Sequence, residues 1–267
     1  MSTKGSKEFI FKMKVAIITP YWQEPDQYLS RCINSVRQQN VAVDHFLVAD
    51  GHPKEWIHKE GLNHIVLDKE HSDYGNTPRC IGAMTAISRA YDAISFLDAD
   101  NWLEPDHVSS CIQAAKENKN VDYVVAKRRF VRSDGSTVHW PSEPISQLVD
   151  TSCFFLLPSS YHVIPTWINM PKALSVHGDR IFLAGLNAHK LQYIECTNIT
   201  VNYLCTDKNI YIRLGEIPPS YSKEMNFQPI KDWLEKLTPD IYEKMTRRLG
   251  FRLSGIGTNR IIGTSLY

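Results

Sequence analysis

The segment that most constrains this chain is residues 94–101, an apolar run that ends in two acids, Asp98 and Asp100. A short apolar run of this kind is typical of a strand buried on both faces, and residues i and i+2 of a strand point to the same side. The two carboxylates could therefore reach one hard cation, Mg²⁺ or Mn²⁺, that takes its other ligands from waters and phosphates. A solvated loop or a helix cap is the alternative for such acids.

Strand and helix patterns alternate along the first half of the chain. Apolar strand patterns lie at 13–19, 43–49, 64–67, 94–97 and 121–126, and helical patterns lie at 28–39, from 78 and at 105–118. We expect Pro20 to end the first strand and Asp26 to cap the first helix. Alternation at this pace predicts an α/β fold with right-handed crossovers and a doubly wound, mainly parallel sheet.

The pattern becomes irregular after Arg128. An apolar segment at 153–157, a helical run at 180–189 and one or two strands at 192–203 are the clearest features there. An amphipathic pattern from 229 to 249 predicts C-terminal helices, with a break at residues 238–239. We expect one domain over residues 1–215, divided near residue 126 into a regular and an irregular half, and a C-terminal helical extension over 216–267.

Charge and composition exclude several classes of protein. A formal net charge of +1 over 267 residues gives no overall reason to expect a nucleic-acid partner. The six cysteines are dispersed without a Cys-x-x-Cys pair, which argues against a disulfide framework and a zinc site. Since we find neither a secretory signal nor an apolar run of membrane-spanning length, we predict a cytoplasmic protein without a transmembrane segment.

The C-terminal helical pattern carries several basic side chains. Lys244, Arg247, Arg248 and Arg252 lie beside its apolar stripe. They could bring the protein to the inner face of an anionic membrane as a peripheral contact. A solvated basic helix end is the simpler interpretation.

Three predicted strand ends meet at one edge of the sheet, where open parallel sheets bind ligands. Tyr21 follows the first strand and could contact a planar base, and Asp50 follows the second and could accept a hydrogen bond from a ring N–H such as that of uracil. Arg79, at the start of the next helix, could neutralise phosphate. Each residue also has an ordinary structural explanation, and only their common location favours a ligand site.

Other phosphate and metal motifs do not fit. The first strand-to-helix turn lacks the glycines of a dinucleotide fingerprint, and there is no Walker loop. A calcium-binding loop starting at Asp98 is excluded because Trp102 and Leu103 occupy positions that require an oxygen ligand and a turn glycine.

Four motifs, at residues 15–21, at 48–51, around Arg79 and at 96–106, together resemble a family 2 glycosyltransferase with the GT-A fold. The resemblance implies a nucleotide-sugar-binding half over 13–126 and an acceptor-binding half over 127–215. It implies metal-dependent, inverting transfer of a sugar from a nucleoside-diphosphate sugar, expected to be UDP-linked, to a glycan or glycoconjugate hydroxyl. The donor-site residues that it implies fall into three groups: Thr19, Pro20, Tyr21 and Asp50 for the nucleoside; Arg79 for its phosphates; and Asp98, Ala99 and Asp100 for the diphosphate, with Asp98 and Asp100 holding Mn²⁺ or Mg²⁺.

The same resemblance implies an acidic base that removes the acceptor proton. Asp179 is the candidate because it opens a helix where the family often carries Glu-Asp, although Gly178 replaces the glutamate here. A helix N-cap is the alternative role for Asp179, and Glu143 and Asp150 are weaker candidates for the base. The family's usual Asp-Asp-Gly-Ser turn is also altered at Ala49 and His52, which affects the expected base and ribose contacts.

The acceptor side offers few sequence signals. Trp140, Tyr161 and Trp167 could stack on sugars, and His177 could line the site, although packing roles are more common for such residues.

Two other functions stay open. One is a non-catalytic member that binds sugar nucleotides or glycans. The other is a phosphohydrolase with an Asp-x-Asp nucleophile, which is disfavoured because the pair follows the fourth predicted strand.

Overall fold

The computed structural model describes residues 13–141, 144–146 and 148–253, together with the backbone of two short strands beyond them. The strands are β1 (Val15–Tyr21), β2 (Asp44–Ala49), β3 (Asn63–Val66), β4 (Ala93–Phe96), β5 (Trp102–Leu103), β6 (Tyr123–Val131), β7 (Thr137–Val138), β8 (Phe154–Leu156), β9 (Tyr193–Leu204), β10 (Arg260–Ile261) and β11 (Thr264–Ser265). The α-helices are α1 (Asp26–Arg37), α2 (Glu55–Lys59), α3 (Asn76–Ser88), α4 (His107–Glu117), α5 (Thr166–Asn169), α6 (Gly178–Ala188), α7 (Lys208–Arg213), α8 (Gln228–Glu235) and α9 (Pro239–Leu249). Short 3₁₀ turns cover Thr151–Cys153, Pro158–Val163 and Lys172–His177.

A nine-stranded sheet runs through the molecule in the order β3-β2-β1-β4-β8-β6-β9-β5, with β7 paired to β6. The strands β1 to β4 pair in parallel, which confirms the predicted α/β fold with a mainly parallel sheet. The pairing changes at β8, which lies antiparallel between β4 and β6. The regular and irregular halves of the sequence therefore share one continuous sheet.

The expectation that Pro20 ends the first strand is wrong, because β1 continues to Tyr21. The carbonyl of Tyr21 accepts from the backbone N–H of Asp50 on the β2 side, whereas that of Ile18 accepts from Leu97 on the β4 side. Pro20 faces the same side as Ile18, beyond the last β1–β4 pair, which joins Ile18 to Phe96. Its missing N–H therefore leaves no ladder hydrogen bond unmade.

The predicted cap of the first helix is also wrong. Pro25 is the N-cap residue of α1, and Asp26 is the first helical residue. The Asp26 carboxylate instead accepts a 2.7 Å hydrogen bond from Lys54 Nζ. By contrast, the predicted break in the C-terminal pattern is confirmed, since Thr238 caps α9 by accepting from the Ile241 N–H.

The C-terminal helices pack on the main hydrophobic core. Ile230 of α8, and Met245 and Leu249 of α9, belong to the same buried cluster as the sheet residues. All six cysteines are buried with free thiols. The domain boundary at 215/216 stays a prediction.

Three of the four basic side chains in and just after α9 have acidic partners, and the fourth, Arg248, donates to the Ile168 carbonyl at 2.8 Å. Lys244 pairs with Asp240 at 2.8 Å, and Arg247 and Arg252 both lie 3.4 Å from Glu243. This balanced charge favours the interpretation of a solvated helix end. Within the part of the chain that the structure describes, no helix combines the length and apolar character needed to span a membrane.

Candidate active site

A cleft of about 490 Å³ opens at the carboxyl ends of β1, β2 and β4. Most of the predicted donor-site residues line it, from three strand ends and from α3: Pro20, Tyr21, Asp50, Asp98, Ala99, Asp100 and Arg79. The parallel register brings these distant sequence positions to one edge of the sheet. Thr19 and Asp179 are not among the lining residues.

Thr19 and Tyr21 both point into the packed side of β1. Thr19 is fully buried, and its hydroxyl lies 2.8 Å from His45 Nε2. Tyr21 contributes to the cleft wall but is only 2% exposed. Its hydroxyl lies 2.6 Å from His64 Nε2 and accepts a hydrogen bond from the Lys54 N–H. Burial raises the pKa of Tyr21, so its phenol stays neutral, and the hydroxyl is occupied by protein partners.

Asp50 is buried at the rim of the cleft and holds the loop between β3 and α3 in place. Its Oδ1 accepts from the His71 N–H at 3.0 Å and lies 2.7 Å from His71 Nδ1. Among the described residues, its Oδ2 accepts one bond, of 3.3 Å, from the Ser72 N–H. A carboxylate oxygen has room for a second donor, so Asp50 could still accept from a ligand.

The loop between β3 and α3 forms a wall that the sequence did not assign to the site. Glu70, Ser72, Asp73, Tyr74 and Gly75 line the cleft from this loop. Ser72, Tyr74 and Gly75 have φ angles of 51°, 58° and 79°, so three positions of this short loop have the left-handed backbone conformation. Its polar composition marked it as a loop, but only the fold shows which ligand cleft it borders.

The loop after β1 adds two more lining residues that were missed, Trp22 and Glu24. Trp22 is 43% exposed and lies edge-on to His52, with ring centroids 5.7 Å apart. Its backbone N–H donates to Glu24 Oε2. An exposed indole at the mouth of the cleft is available to pack against a planar ligand.

Arg79 lies at the floor of the cleft and is paired with the first acid of the motif. Its Nη2 donates to Asp98 Oδ1 at 2.8 Å, and its Nη1 donates to Asn76 Oδ1 at 3.0 Å. The guanidinium also stacks over the buried ring of Trp167, 4.9 Å from the ring centroid. These contacts fix a positive charge beside the acidic pair.

Asp100 is half-buried and has no ion-pair partner among the described residues. Burial, together with the nearby carboxylates of Asp98 and Glu24, raises its pKa to about 7. The described residues contain no cluster of three or more His, Cys, Asp or Glu side chains that could hold a metal. Two carboxylates with excess negative charge fit a hard cation that shares its ligands with a phosphate, and do not fit a closed structural metal site.

A hydrogen-bonded chain links this pair to the second half of the protein. Ser152 Oγ accepts from the Asp98 N–H at 3.3 Å, and Asp150 Oδ1 accepts from the Ser152 N–H at 2.9 Å. Asp150 Oδ2 is paired with Arg128 at 2.8 Å. Asp150 is buried and already paired, which suits a structural role better than that of a base. Glu143, the other weaker candidate, lies outside the described residues.

Asp179 is the second residue of α6, and the N-cap position belongs to His177. Its Oδ1 accepts from the adjacent Arg180 N–H at 2.7 Å, and the N-cap position itself lies two residues earlier, so Asp179 is not the N-cap. Burial and the charge of Asp150 raise its pKa to about 6. Gly178 packs directly against Asn76, because a Cβ at Gly178 would lie 2.6 Å from Asn76 Oδ1.

The aromatic candidates on the acceptor side pack within the protein. Trp167 is 1% exposed and stacks on Phe182, with centroids 4.5 Å apart. Tyr161 donates its hydroxyl to the Tyr91 carbonyl at 3.0 Å. Half-buried Trp140 packs against a small apolar cluster beside β6 and β7.

His177 also has a packing role. It stacks on Phe227, with ring centroids 5.7 Å apart, and is only 7% exposed. Burial lowers its pKa to about 4, so this ring is neutral at physiological pH.

The sequence model for glycosyl transferase family 2 matches residues 16–170. This chain belongs to that family. The matched range contains every residue that lines the cleft. The chain is therefore a family 2 glycosyltransferase, and the fold around its cleft agrees with the GT-A type that the motifs implied.

Two polysaccharide synthases share part of the transferase sequence. The chain is 28% identical over 132 residues to the chondroitin synthase of Pasteurella multocida (strain Pm70) and to the hyaluronan synthase of Pasteurella multocida. The aligned segment covers 43% of this chain but only 12% of either synthase. This chain therefore corresponds to a small part of these much longer relatives.

Solved structures of similar fold include S. aureus TarS 1-349. The complex with UDP has a TM-score of 0.54 and the complex with UDP-GlcNAc a TM-score of 0.55, each at 13% sequence identity. Both alignments cover 91% of the transferase and 74% of the TarS chain. The similarity at this identity is one of fold, and it extends through the irregular half of the transferase.

Proposed function

We propose that this transferase moves a sugar from a UDP-sugar to a hydroxyl group of a glycan or glycoconjugate, with inversion at the anomeric carbon. The observation that carries the proposal is the convergence of Asp50, Arg79, Asp98 and Asp100 in one cleft of about 490 Å³. That volume lies in the usual range for small-molecule sites. The cleft offers a surface for a nucleobase, the fixed positive charge of Arg79, and the acidic pair Asp98 and Asp100.

Two observations support uridine as the nucleoside. Asp50 Oδ2 accepts a single long hydrogen bond and can accept another from a ring N–H. The TarS structures of similar fold are complexes with UDP and with UDP-GlcNAc. The exposed Trp22, which lines the same cleft as Asp50, gives a planar base an apolar surface.

The diphosphate is assigned to the acidic end of the cleft. Asp98 and Asp100 would hold Mn²⁺ or Mg²⁺ there, and a bound ion of this kind neutralises charge that develops on a departing diphosphate. Arg79 supplies a second positive charge. Its guanidinium is already in position before a ligand binds, because contacts with Asn76 and Trp167 hold it there.

Asp179 is assigned the role of base. Its carboxylate takes the proton from the acceptor hydroxyl while that oxygen forms a bond to the anomeric carbon and the bond to the diphosphate breaks. Attack on the face opposite the leaving group gives inversion. A pKa of about 6 leaves Asp179 ionised at neutral pH and more basic than an ordinary aspartate.

The names of the chondroitin and hyaluronan synthases support a glycan acceptor. A cytoplasmic location stays a prediction from the sequence.

Calorimetric titration with UDP, CDP, ADP and GDP in the presence of Mn²⁺ tests the donor assignment. We expect UDP to bind most tightly and Asp50→Ala to weaken its binding by about tenfold or more, the effect of one lost charge-assisted hydrogen bond. Asp68→Ala is the matched control, because Asp68 is exposed and does not line the cleft. Equal affinity for all four nucleotides, or no effect of Asp50→Ala, would contradict the assignment.

A further inference from the structure

We infer that a second groove, beside the donor cleft, binds an uncharged segment of the glycan acceptor; this rests on the proposed function. The groove has a volume of about 630 Å³ and lies between the start of α1, the turn joining β6 to β7, and the loop at residues 220–221. We call it the acceptor groove, and the side chains that define it are Gln27, Tyr28, Arg31, Asp134, Ser220 and Tyr221.

The lining chemistry of the acceptor groove suits a sugar chain. Tyr28 and Tyr221 supply aromatic surface that suits the C–H faces of pyranose rings. The Tyr28 hydroxyl can bond to sugar oxygens, whereas that of Tyr221 already contacts the protein. Gln27 and Ser220 add neutral groups that can both donate and accept. Aromatic side chains together with neutral hydrogen-bonding groups suit an uncharged, polyhydroxylated ligand.

The charged groups of the groove give no net attraction for an anionic ligand, because the lining holds one cation, Arg31, and one carboxylate, Asp134. Arg31 uses both terminal nitrogens on backbone carbonyls, donating to Ser133 at 2.9 Å and to Asp100 at 3.2 Å. Its guanidinium also lies over the Trp102 ring, 3.6 Å from the centroid. The carboxylate of Asp134 would repel a phosphate or a uronate.

The acceptor groove and the donor cleft share a wall. Glu24 lines the cleft and the next residue, Pro25, lines the groove. Asp100 lines the cleft, and its carbonyl accepts from Arg31 of the groove. A chain lying in the groove would therefore end beside the acidic edge where the donor diphosphate is assigned.

The groove is held open by contacts within the protein. Tyr221 accepts a 3.1 Å hydrogen bond from the Ser133 N–H, and its hydroxyl lies 3.3 Å from that of Tyr211. Next to this turn, Arg132 forms two hydrogen bonds, of 2.8 and 2.7 Å, with the Glu216 carboxylate. A groove that is already formed loses less conformational entropy when it binds a flexible oligosaccharide.

An array of neutral and acidic oligosaccharides, probed with the labelled protein of residues 1–267, tests the inference. We expect wild type to retain neutral oligosaccharides, and Tyr28→Ala and Asp134→Ala to weaken this binding by about tenfold. Tyr28→Phe should keep most of it, because the ring face stays. Tyr193→Ala is the control, since Tyr193 is 42% exposed on β9 and does not line the groove.

UDP titration of the same proteins separates this inference from the proposed function. We expect the groove variants to bind UDP as wild type does. Wild type that binds UDP but retains no neutral glycan, or Tyr28→Ala and Asp134→Ala proteins that retain glycans like wild type, would overturn the inference. Glycan retention that depends on the groove, without any UDP binding, would support the groove and contradict the proposed donor instead.

Discussion

Arg79 Nη2 lies 2.8 Å from Asp98 Oδ1, so the first acid of the Asp-x-Asp pair already has a cationic partner. The two sides of this ion pair differ in exposure, because the Arg79 side chain is 4% exposed and that of Asp98 is 30% exposed. The guanidinium is therefore fixed by the fold, while the carboxylate still faces the cleft. The same contact serves both stability and the proposed diphosphate site.

Replacing Arg79 should reduce both stability and UDP affinity. Arg79→Gln leaves the carboxylate of Asp98 and the amide of Asn76 without their donor, which we expect to cost about 2 kcal/mol in urea unfolding. Arg37→Gln is the control, since that arginine pairs with Glu60 at the surface and should contribute less than about 1 kcal/mol. Equal losses in the two variants would contradict a special role for Arg79.

Metal binding should depend on pH through Asp100. A carboxyl with a pKa of about 7 must lose its proton before it can hold a cation, so Mn²⁺ affinity should fall as the pH drops below 7. One released proton corresponds to about tenfold in affinity for each pH unit. Titration of Mn²⁺ between pH 5.5 and 8 checks this, and an affinity that does not change with pH would contradict it.

The same carboxyl should lower the stability of the metal-free protein. Its folded pKa lies above the usual value of 3.8, so ionisation costs more in the folded state, and this cost is complete above pH 7. Asp100→Asn should therefore unfold at a higher temperature than wild type at pH 8, while losing metal binding. A lower melting temperature for this variant would argue against the raised pKa.

Sugar transfer should fall at low pH because of Asp179. A base must be ionised to accept a proton, so with saturating donor and Mn²⁺ the rate should decline below about pH 6. Asp179→Asn should reduce turnover by about 100-fold or more and leave UDP affinity unchanged. If UDP affinity falls as much as turnover does, Asp179 has a structural role.

The contact between Gly178 and Asn76 can be tested by a double-mutant cycle. A Cβ at Gly178 would lie 2.6 Å from Asn76 Oδ1, and Asn76 cannot easily move because it also bonds Arg79 and the Ser175 carbonyl. Gly178→Ala should cost about 1–3 kcal/mol. In the background of Asn76→Ala the same change should cost much less, and additive losses would contradict the steric explanation.

The positions of the acidic residues at the strand ends were predicted well. An apolar run predicts a buried strand, and an acid directly after it predicts a polar group at the end of that strand. Asp50, Asp98 and Asp100 lie at the ends of parallel strands, and the alternation of strands and helices was enough to bring them to one edge. The sequence did not reveal that the Thr19 side chain would point into the packed side of β1. It also did not reveal that the nitrogen of Pro20 would lie beyond the last β1–β4 pair, where no hydrogen bond is lost. Those facts depend on strand order and register.

The parts of the site that were missed come from tertiary contacts. The cleft wall formed by Ser72 and Tyr74 depends on positive φ angles at both residues. Serine and tyrosine do not predict such angles, whereas the following Gly75 does. The acceptor groove joins residues about 100 and 200 positions apart in the chain, such as Tyr28, Asp134 and Tyr221. Local periodicity carries no information about such neighbours.

The central claim is that the Asp-x-Asp edge of the cleft binds UDP together with a divalent cation. It is tested most directly by calorimetric measurement of UDP affinity with and without Mn²⁺, in wild type and in Asp100→Asn. We predict that Mn²⁺ increases UDP affinity about tenfold or more in wild type and has little effect in the variant. UDP affinity that is the same with and without Mn²⁺ in wild type, or an undiminished Mn²⁺ effect in Asp100→Asn, would contradict the claim.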